Sequence, residues 1–162
     1  MQPPDYAADY LKLKEANDEL RERAKQWLFE TLGRLIAETN RSFSAQPGQM
    51  MIQTGNQPRE FKAGTATMVG EAMAARYRMN TLLVEIGWPR LPQHGFISGQ
   101  GLARGRVSLS PNPTLDAMLL DELILKSAGA GQSEWYVTRD GRTGEVITEV
   151  KLRQYLQKLL AD

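Results

Sequence analysis

A glycine-rich stretch over residues 95–106 holds the residues best suited to bind a ligand. It contains four glycines and ends with Arg104 and Arg106, and His94 stands directly before it. Glycines allow a backbone to approach a ligand closely, and paired arginines hold phosphate or carboxylate groups well. The pattern favours a plain flexible loop. A loop that binds an anionic small molecule or nucleic acid is the alternative, because long loops inside compact domains are often functional.

The known phosphate-binding motifs do not fit this loop. The run Gly99-Gln100-Gly101-Leu102-Ala103-Arg104 has arginine where the dinucleotide fingerprint needs its third glycine. A strand and a proline follow it, whereas the fingerprint requires a helix N-terminus. The Gly-Lys-Ser/Thr sequence of a P-loop does not occur in the chain. An anion site here would therefore rest on the arginine side chains.

Glu85 and His94 are the two residues that suit acid–base chemistry. A carboxylate within hydrogen-bonding reach of an imidazole can move a proton in a hydrolase or a transferase. The alternative is that His94 is an ordinary solvated histidine of a loop. The chain has one histidine and no cysteine, and its carboxylates show no clustered spacing. No metal site and no cofactor are therefore predicted.

Three further arginines, Arg76, Arg78 and Arg90, extend the basic character of this region. Nucleic-acid-binding sheets place aromatic side chains among the basic ones on the same face. In a strand, Tyr77 points away from its neighbours Arg76 and Arg78, which argues against nucleic acid and favours a solvated sheet face. Trp88 either covers the end of the sheet or offers an aromatic platform to a ligand.

The strand that must position these residues spans Leu82 to Gly87. Five of its six residues are apolar or glycine, and Val84 and Ile86 are β-branched, which makes it the strongest strand signal in the chain. A strand of this kind is usually covered on both faces and lies inside a sheet. Glu85 must find a partner there, because an unpaired buried charge is very costly.

The whole pattern predicts an α+β fold. It consists of a long N-terminal helix, a mostly antiparallel sheet of about five to six strands, and two further helices packed on that sheet. We find no linker and no internal repeat in the 162 residues, so residues 1–162 are predicted to form a single domain.

Short apolar or alternating runs predict the other strands, which lie at residues 50–52, 60–63, 68–79, 107–109, 134–138 and 145–147. Residues 68–79 would also form a helical face, and a strand is preferred because a turn follows them. Residues 55–58 predict a turn. One helix is predicted over residues 115–127 with Thr114 as its N-cap, and a last helix follows Thr148.

The first 45 residues predict one long amphipathic helix. Its first half also fits a heptad seam made of two columns, Tyr6, Leu13, Leu20 and Trp27 in one and Tyr10, Asn17, Ala24 and Thr31 in the other. Forty helical residues are about 60 Å long, whereas a domain of this size is roughly 40 Å across. The helix therefore breaks, most naturally at Gly33, or its first half projects and packs on another chain. Asn17 would then set the register.

A projecting helix predicts a homodimer, because its apolar side chains would otherwise form an exposed stripe. With no catalytic constellation, the predicted function is that of a non-enzymatic protein–protein interaction module. Without the weak strand at residues 107–109, the predicted order of elements resembles that of the dimeric chaperones of type III secretion effectors, although no sequence motif is shared. The resemblance implies a chaperone-like homodimer that binds another protein.

Charge and composition narrow the remaining possibilities. The net charge is +1, but residues 46–106 hold 7 Lys/Arg against 3 Asp/Glu, and this excess of +4 favours an anionic partner. No run approaches the ~18 apolar residues of a membrane span, and the N-terminus lacks the pattern of a signal peptide. A chain without cysteine fits a reducing compartment. A soluble, cytoplasmic protein without a membrane partner is predicted.

Overall fold

The computed structural model describes residues 5–99 and 101–161. Within them the chain forms two α-helices, seven β-strands and one short 3₁₀ helix. In chain order these are α1 Tyr6–Ser44, β1 Gln53–Ala63, β2 Ala66–Tyr77, β3 Asn80–Trp88, the 3₁₀ helix Pro92–His94, β4 Ala103–Ser110, β5 Met118–Gly129, β6 Gln132–Arg139, β7 Arg142–Val146 and α2 Glu149–Leu160.

The seven strands form one antiparallel sheet in which each strand pairs with the next along the chain, in the order β1-β2-β3-β4-β5-β6-β7. The α+β class, the long N-terminal helix and the antiparallel sheet are confirmed. The predicted counts were wrong, because the described chain has seven strands and two α-helices where five to six strands and three helices were expected. The predicted order of elements therefore does not hold, and neither does the resemblance to secretion chaperones that depended on it.

The helix predicted over residues 115–127 is in fact the strand β5. Its leucines recur at helical spacing, but Asp121, Leu123 and Leu125 also alternate, and all three are buried on one face of the sheet. Pairing with both β4 and β6 satisfies the backbone of this segment, so tertiary structure outweighs the local pattern. Thr114, the predicted N-cap, instead takes part in a turn in which its backbone N–H donates to Asn112 Oδ1 at 3.0 Å.

The first strand also differs from the prediction. Residues 50–52 have no regular structure, and β1 runs straight through residues 55–58, which were predicted to turn. Pro58 is tolerated there because β1 is an edge strand. Residues 66–77 form β2, which confirms the strand. The weak strand at residues 107–109 extends over Ala103–Ser110, so the predicted loop 95–106 ends in β4.

Both helices lie on one side of the sheet, which we call the helix face. In β3 the alternate residues Leu82, Val84, Ile86 and Trp88 point to this face and are each at most 1% exposed. The opposite side, which we call the outer face, carries Glu85. A smaller apolar cluster of Phe61, Ala66 and Met68, packed against Ile97 of the β3–β4 loop, covers part of the outer face.

The helix α1 is continuous over 39 residues and does not break at Gly33. It begins at the N-cap Asp5, whose side chain accepts a hydrogen bond from the backbone N–H of Ala8 at 3.1 Å. Its first link to the sheet is at Arg21, whose Nε donates to the carbonyl oxygen of Leu102 at 2.6 Å. Residues 6–16 are exposed apart from Ala8, so the first half of α1 projects beyond the sheet.

Candidate functional site

The projecting half of α1 carries the most exposed large apolar side chains of this helix. Tyr6 is 76% exposed, Tyr10 is 66% exposed and Leu13 is 61% exposed, while Trp27 further along the helix is 43% exposed. Together with Asn17 and the half-buried Leu20, these residues form a row that we call the α1 stripe. Apolar residues left this exposed on one row are the mark of an interaction surface.

The α1 stripe lies beside the row that faces the sheet and partly overlaps it in angle around the helix. Leu28, Leu32 and Leu35 of α1 are buried in the core. At 100° per residue, the centre of the stripe lies roughly 60° around the helix axis from the centre of the buried row. The protein's own sheet therefore leaves Trp27, at the far edge of the stripe, exposed even where α1 crosses the sheet.

Glu85 and Arg106, two residues of the predicted ligand region, form an ion pair on the outer face. Arg106 donates to Glu85 Oε1 through Nε at 3.2 Å and through Nη2 at 3.0 Å. Arg59 of β1, which the sequence did not single out, donates through Nε to Glu85 Oε2 at 2.8 Å. The Glu85 side chain is 2% exposed, so the two arginines neutralise a buried carboxylate as its burial requires.

Arg104 is also engaged within the sheet. It lies on β4, its Nε donates to the carbonyl oxygen of Leu123 at 3.1 Å, and its Nη2 lies 3.6 Å from a carboxylate oxygen of Glu122. Of the Gly99-Gln100-Gly101 run, Gln100 lies outside the described residues. The structure thus places Arg104 and Arg106 on a strand with acidic partners, and neither ends a free loop.

Trp88 covers the end of the core and is 1% exposed. The Arg90 guanidinium lies 3.7 Å from the centre of its ring, and Arg90 Nε donates to the carbonyl oxygen of Val69 at 3.1 Å. Burial lowers the pKa of Arg90 below its usual value, although an arginine remains charged at pH 7. The face of Trp88 is occupied by Arg90, so Trp88 offers no aromatic platform to a ligand.

His94 shapes the β3–β4 loop. Its Nδ1 accepts hydrogen bonds from the backbone N–H groups of Arg90 at 3.1 Å and Leu91 at 3.0 Å. An Nδ1 that accepts hydrogen bonds belongs to the neutral tautomer with its proton on Nε2. Glu85 is bound to Arg59 and Arg106 instead, so the structure does not join Glu85 and His94 by a hydrogen bond.

Arg76 lies near the end of β2, and Arg78 lies in the turn that follows the strand. Arg76 is exposed on the outer face, while Tyr77 is buried on the helix face, where its hydroxyl accepts a hydrogen bond from Gln49 Nε2 at 2.6 Å. Arg78 occupies the β2–β3 turn with φ of 56° and lies 5.3 Å from the Tyr77 ring centre. The aromatic ring therefore does not share a face with Arg76.

Sequence reasoning missed a buried polar cluster between β5 and α2. The hydroxyl of Tyr155 donates to Asp121 Oδ2 at 2.6 Å, Arg139 lies 3.2 Å from Oδ1, and Lys151 lies 3.5 Å from Oδ2. Burial by itself would raise the pKa of Asp121, but the hydrogen bonds and the two cations outweigh it and leave the pKa below its usual value. Asp121 lies in the segment of residues 115–127 that was predicted to be a helix, so the sequence offered no signal for this cluster.

A second missed group is Lys25, which is 7% exposed at the junction of α1 and β2. Its Nζ lies 2.8 Å from Glu71 and 3.0 Å from Glu22. Burial opposes its charge, but the two carboxylates outweigh burial and raise the pKa of Lys25. Lys25 therefore stays protonated at pH 7 and holds α1 to the sheet; a protonated lysine is no nucleophile.

Two further properties of the described residues concern metal binding and membrane spanning. No group of three or more His, Asp and Glu side chains within residues 5–99 and 101–161 is arranged to hold a metal ion. Although α1 is long, it is too polar to cross a membrane, and α2 is too short, so neither described α-helix is a candidate membrane span.

Fold and surface together define an α+β protein in which a seven-stranded antiparallel meander carries a long helix with a projecting first half. Comparison with known proteins adds no relative to this description. Neither protein-family models, nor curated protein sequences, nor solved structures include a match to the chain.

Proposed function

We propose that this chain is a non-enzymatic protein-interaction module that forms a homodimer through the α1 stripe. The observation that carries the proposal is the exposure of Tyr6, Tyr10 and Leu13, which are all more than 60% exposed on the projecting half of α1. Soluble proteins rarely keep such a row in water unless a partner covers it.

The stability of the projecting segment supports the same proposal. Most helical stability in proteins comes from tertiary packing of an apolar face, and the described residues before Arg21 make no hydrogen bond to the sheet. A packed partner helix would supply the missing apolar contacts.

A second copy of the same helix fits the stripe by symmetry, because a two-fold interface needs only a self-complementary surface. The stripe repeats at heptad spacing, and the half-buried Asn17 sits among its apolar residues, where a polar side chain sets register. In a parallel pair that uses these columns, Asp9 and Lys14 of opposite chains flank the seam, and their opposite charges attract.

The test compares oligomeric mass between the wild type and a double variant, Leu13→Glu with Leu20→Glu. Neither leucine packs in the described core, so the variant should fold while two charges per helix disrupt the seam. Light scattering coupled to size exclusion at tens of micromolar should give about twice 18.2 kDa for the wild type. The variant should elute as a monomer.

The matched control is Leu11→Glu with Gln26→Glu, because both residues are exposed and lie outside the two seam columns. It adds the same charge to α1 and should remain dimeric. A wild-type mass near 18.2 kDa would overturn the proposal. If the control variant dissociated to the same extent, the added negative charge, and not its position in the seam, would explain the dissociation.

The other predicted functions receive less support from the geometry. Arg104 and Arg106, the proposed anion ligands, are bound to Glu122 and Glu85, and Glu85 is not poised beside His94 for proton transfer. Anion binding, a hydrolase or transferase activity and a cytoplasmic location stay predictions.

A further inference from the structure

A second exposed apolar surface lies at the end of the sheet opposite the projecting half of α1. We call it the methionine end, and it consists of Met50, Met51, Met79, Leu115, Met118 and Leu119. Each of these six side chains is between 47% and 60% exposed. Met68 and Met73 are buried, so exposure is a property of this end of the sheet and not of methionine in this chain.

Strand register brings the segments of the methionine end together. Gln53 at the start of β1 pairs with Arg76 near the end of β2, and Met118 at the start of β5 pairs with Leu109 near the end of β4. The segment before β1, the β2–β3 turn and the β4–β5 loop therefore all leave the sheet at the same end. Neighbouring strands are about 4.8 Å apart, so the surface spans roughly 20 Å from β1 to β5.

The methionine pair before β1 is held on an anchored segment. On one side of it, Gln49 Nε2 donates to the hydroxyl of Tyr77 at 2.6 Å. On the other side, the Asn40 side chain binds both backbone groups of Ile52, at 2.8 and 2.9 Å. Met50 and Met51 therefore stay exposed because their neighbours fix the chain, and the surface needs no rearrangement to meet a partner.

The surroundings of the methionine end are basic. Asn80 Nδ2 donates to the carbonyl oxygen of Leu159 at 2.9 Å, which places the last turn of α2 beside the β2–β3 turn. The exposed cations at this end are Arg41, Arg76, Arg78 and Lys158. Among the described residues of the segment before β1, the β2–β3 turn and the β4–β5 loop, Arg78 is matched by one acidic side chain, Asp116, so the positive excess comes from Arg41, Arg76 and Lys158 on the flanking elements.

We propose that the methionine end is a docking surface for a peptide segment that presents both apolar and acidic side chains. Methionine is unbranched and polarisable, so it adapts to apolar side chains of different shapes. Arginines around the apolar area bind carboxylates and exclude cationic segments. This surface is independent of the α1 stripe, because α1 leaves the sheet at the other end, where Arg21 meets Leu102.

The test uses two labelled amphipathic peptides of about 18 residues, one of Leu and Glu and one in which Lys replaces every Glu. Fluorescence anisotropy with the full chain should show binding of the Leu/Glu peptide and at least about tenfold weaker binding of the Leu/Lys peptide. Added salt should weaken the Leu/Glu complex without abolishing it, because apolar contacts persist when charges are screened.

The variant Met51→Gln, Met79→Gln, Met118→Gln should lose about tenfold or more in affinity for the Leu/Glu peptide. Its matched control is Leu91→Gln with Phe96→Gln, which removes exposed apolar side chains from the opposite end of the sheet and should bind as the wild type does. Thermal unfolding by circular dichroism should be the same for both variants, since every substituted side chain is exposed.

Four results would overturn the proposal. They are no binding of the Leu/Glu peptide, equal binding of both peptides, binding unchanged by the methionine variant, and an equal loss in the control variant. Binding to phosphatidylserine vesicles that needs the methionines, without peptide binding, would reassign the surface to a membrane. A loss of dimer mass in the methionine variant would instead reassign it to a second copy of the chain.

Discussion

The hydroxyl of Tyr155 in α2 donates a hydrogen bond of 2.6 Å to the buried carboxylate of Asp121 in β5. This bond joins the last helix to the sheet across 34 residues of sequence. Burial, together with this hydrogen bond, raises the pKa of Tyr155 far above its usual value, so the tyrosine stays neutral and remains the donor at neutral pH.

Replacing this carboxylate should destabilise the fold. Asp121→Asn leaves Lys151 and Arg139 without their buried anion and should lower the free energy of unfolding by about 2–4 kcal/mol at pH 7. Urea unfolding followed by Trp fluorescence measures this difference. Glu122→Gln is the matched control, because its side chain is 40% exposed on the other face of the same strand, and it should change stability by less than about 1 kcal/mol.

The same pair predicts a pH dependence with a definite sign. The pKa of Asp121 is lowered in the folded state, while an unfolded aspartate titrates near 3.9. Its contribution is therefore fully present above about pH 4 and is lost as the pH falls through the lower folded pKa. The stability difference between wild type and Asp121→Asn should shrink over that acidic range. A difference that stays constant down to pH 2.5 (about the lower limit for such titrations) would contradict this account.

The close approach of β2 and β3 makes Gly70 the most sensitive glycine of the sheet. A Cβ atom built on Gly70 would clash with the backbone oxygen of Ile86, whereas one on Gly55 of β1 would meet nothing within 4 Å. Gly70→Ala should therefore cost more than about 3 kcal/mol, because the backbone itself must move. Gly55→Ala, the control, should change stability by less than about 1 kcal/mol.

Both variants can be compared by their urea midpoints. Equal midpoints would show that β2 and β3 can move apart without a loss of stability, and the close packing at Gly70 would then not explain its sensitivity.

The two faces of β3 should respond differently to the same truncation. Leu82 is fully buried on the helix face, whereas Leu83 is half-buried on the outer face. Leu82→Ala should cost about 3–4 kcal/mol through lost burial and a cavity, and Leu83→Ala about 1 kcal/mol. Calorimetric melting temperatures measured on the two variants give the comparison. The reverse order of stabilities would mean that the helices cover the face of the sheet that carries Leu83.

Part of this architecture follows from the sequence because it depends on local periodicity. The apolar spacing from Tyr6 onward determines a helix of about 40 residues. A helix of that length is longer than the diameter of the domain to which it belongs. The apolar run at Leu82–Gly87 likewise determines a buried strand and requires a partner for Glu85. These inferences needed no knowledge of which segments meet.

Tertiary structure alone decided the features that depend on pairing between distant segments. The leucines of residues 115–127 satisfy a helical and a strand pattern equally, and only hydrogen bonding to β4 and β6 makes the segment β5. Arg106 meets Glu85 because register places them opposite each other on neighbouring strands, and Arg59 reaches Glu85 from β1 across β2 on the same face. The exposed methionines meet because three segments leave the sheet at one end. Local sequence does not encode such meetings, because each is set by the sum of many long-range contacts.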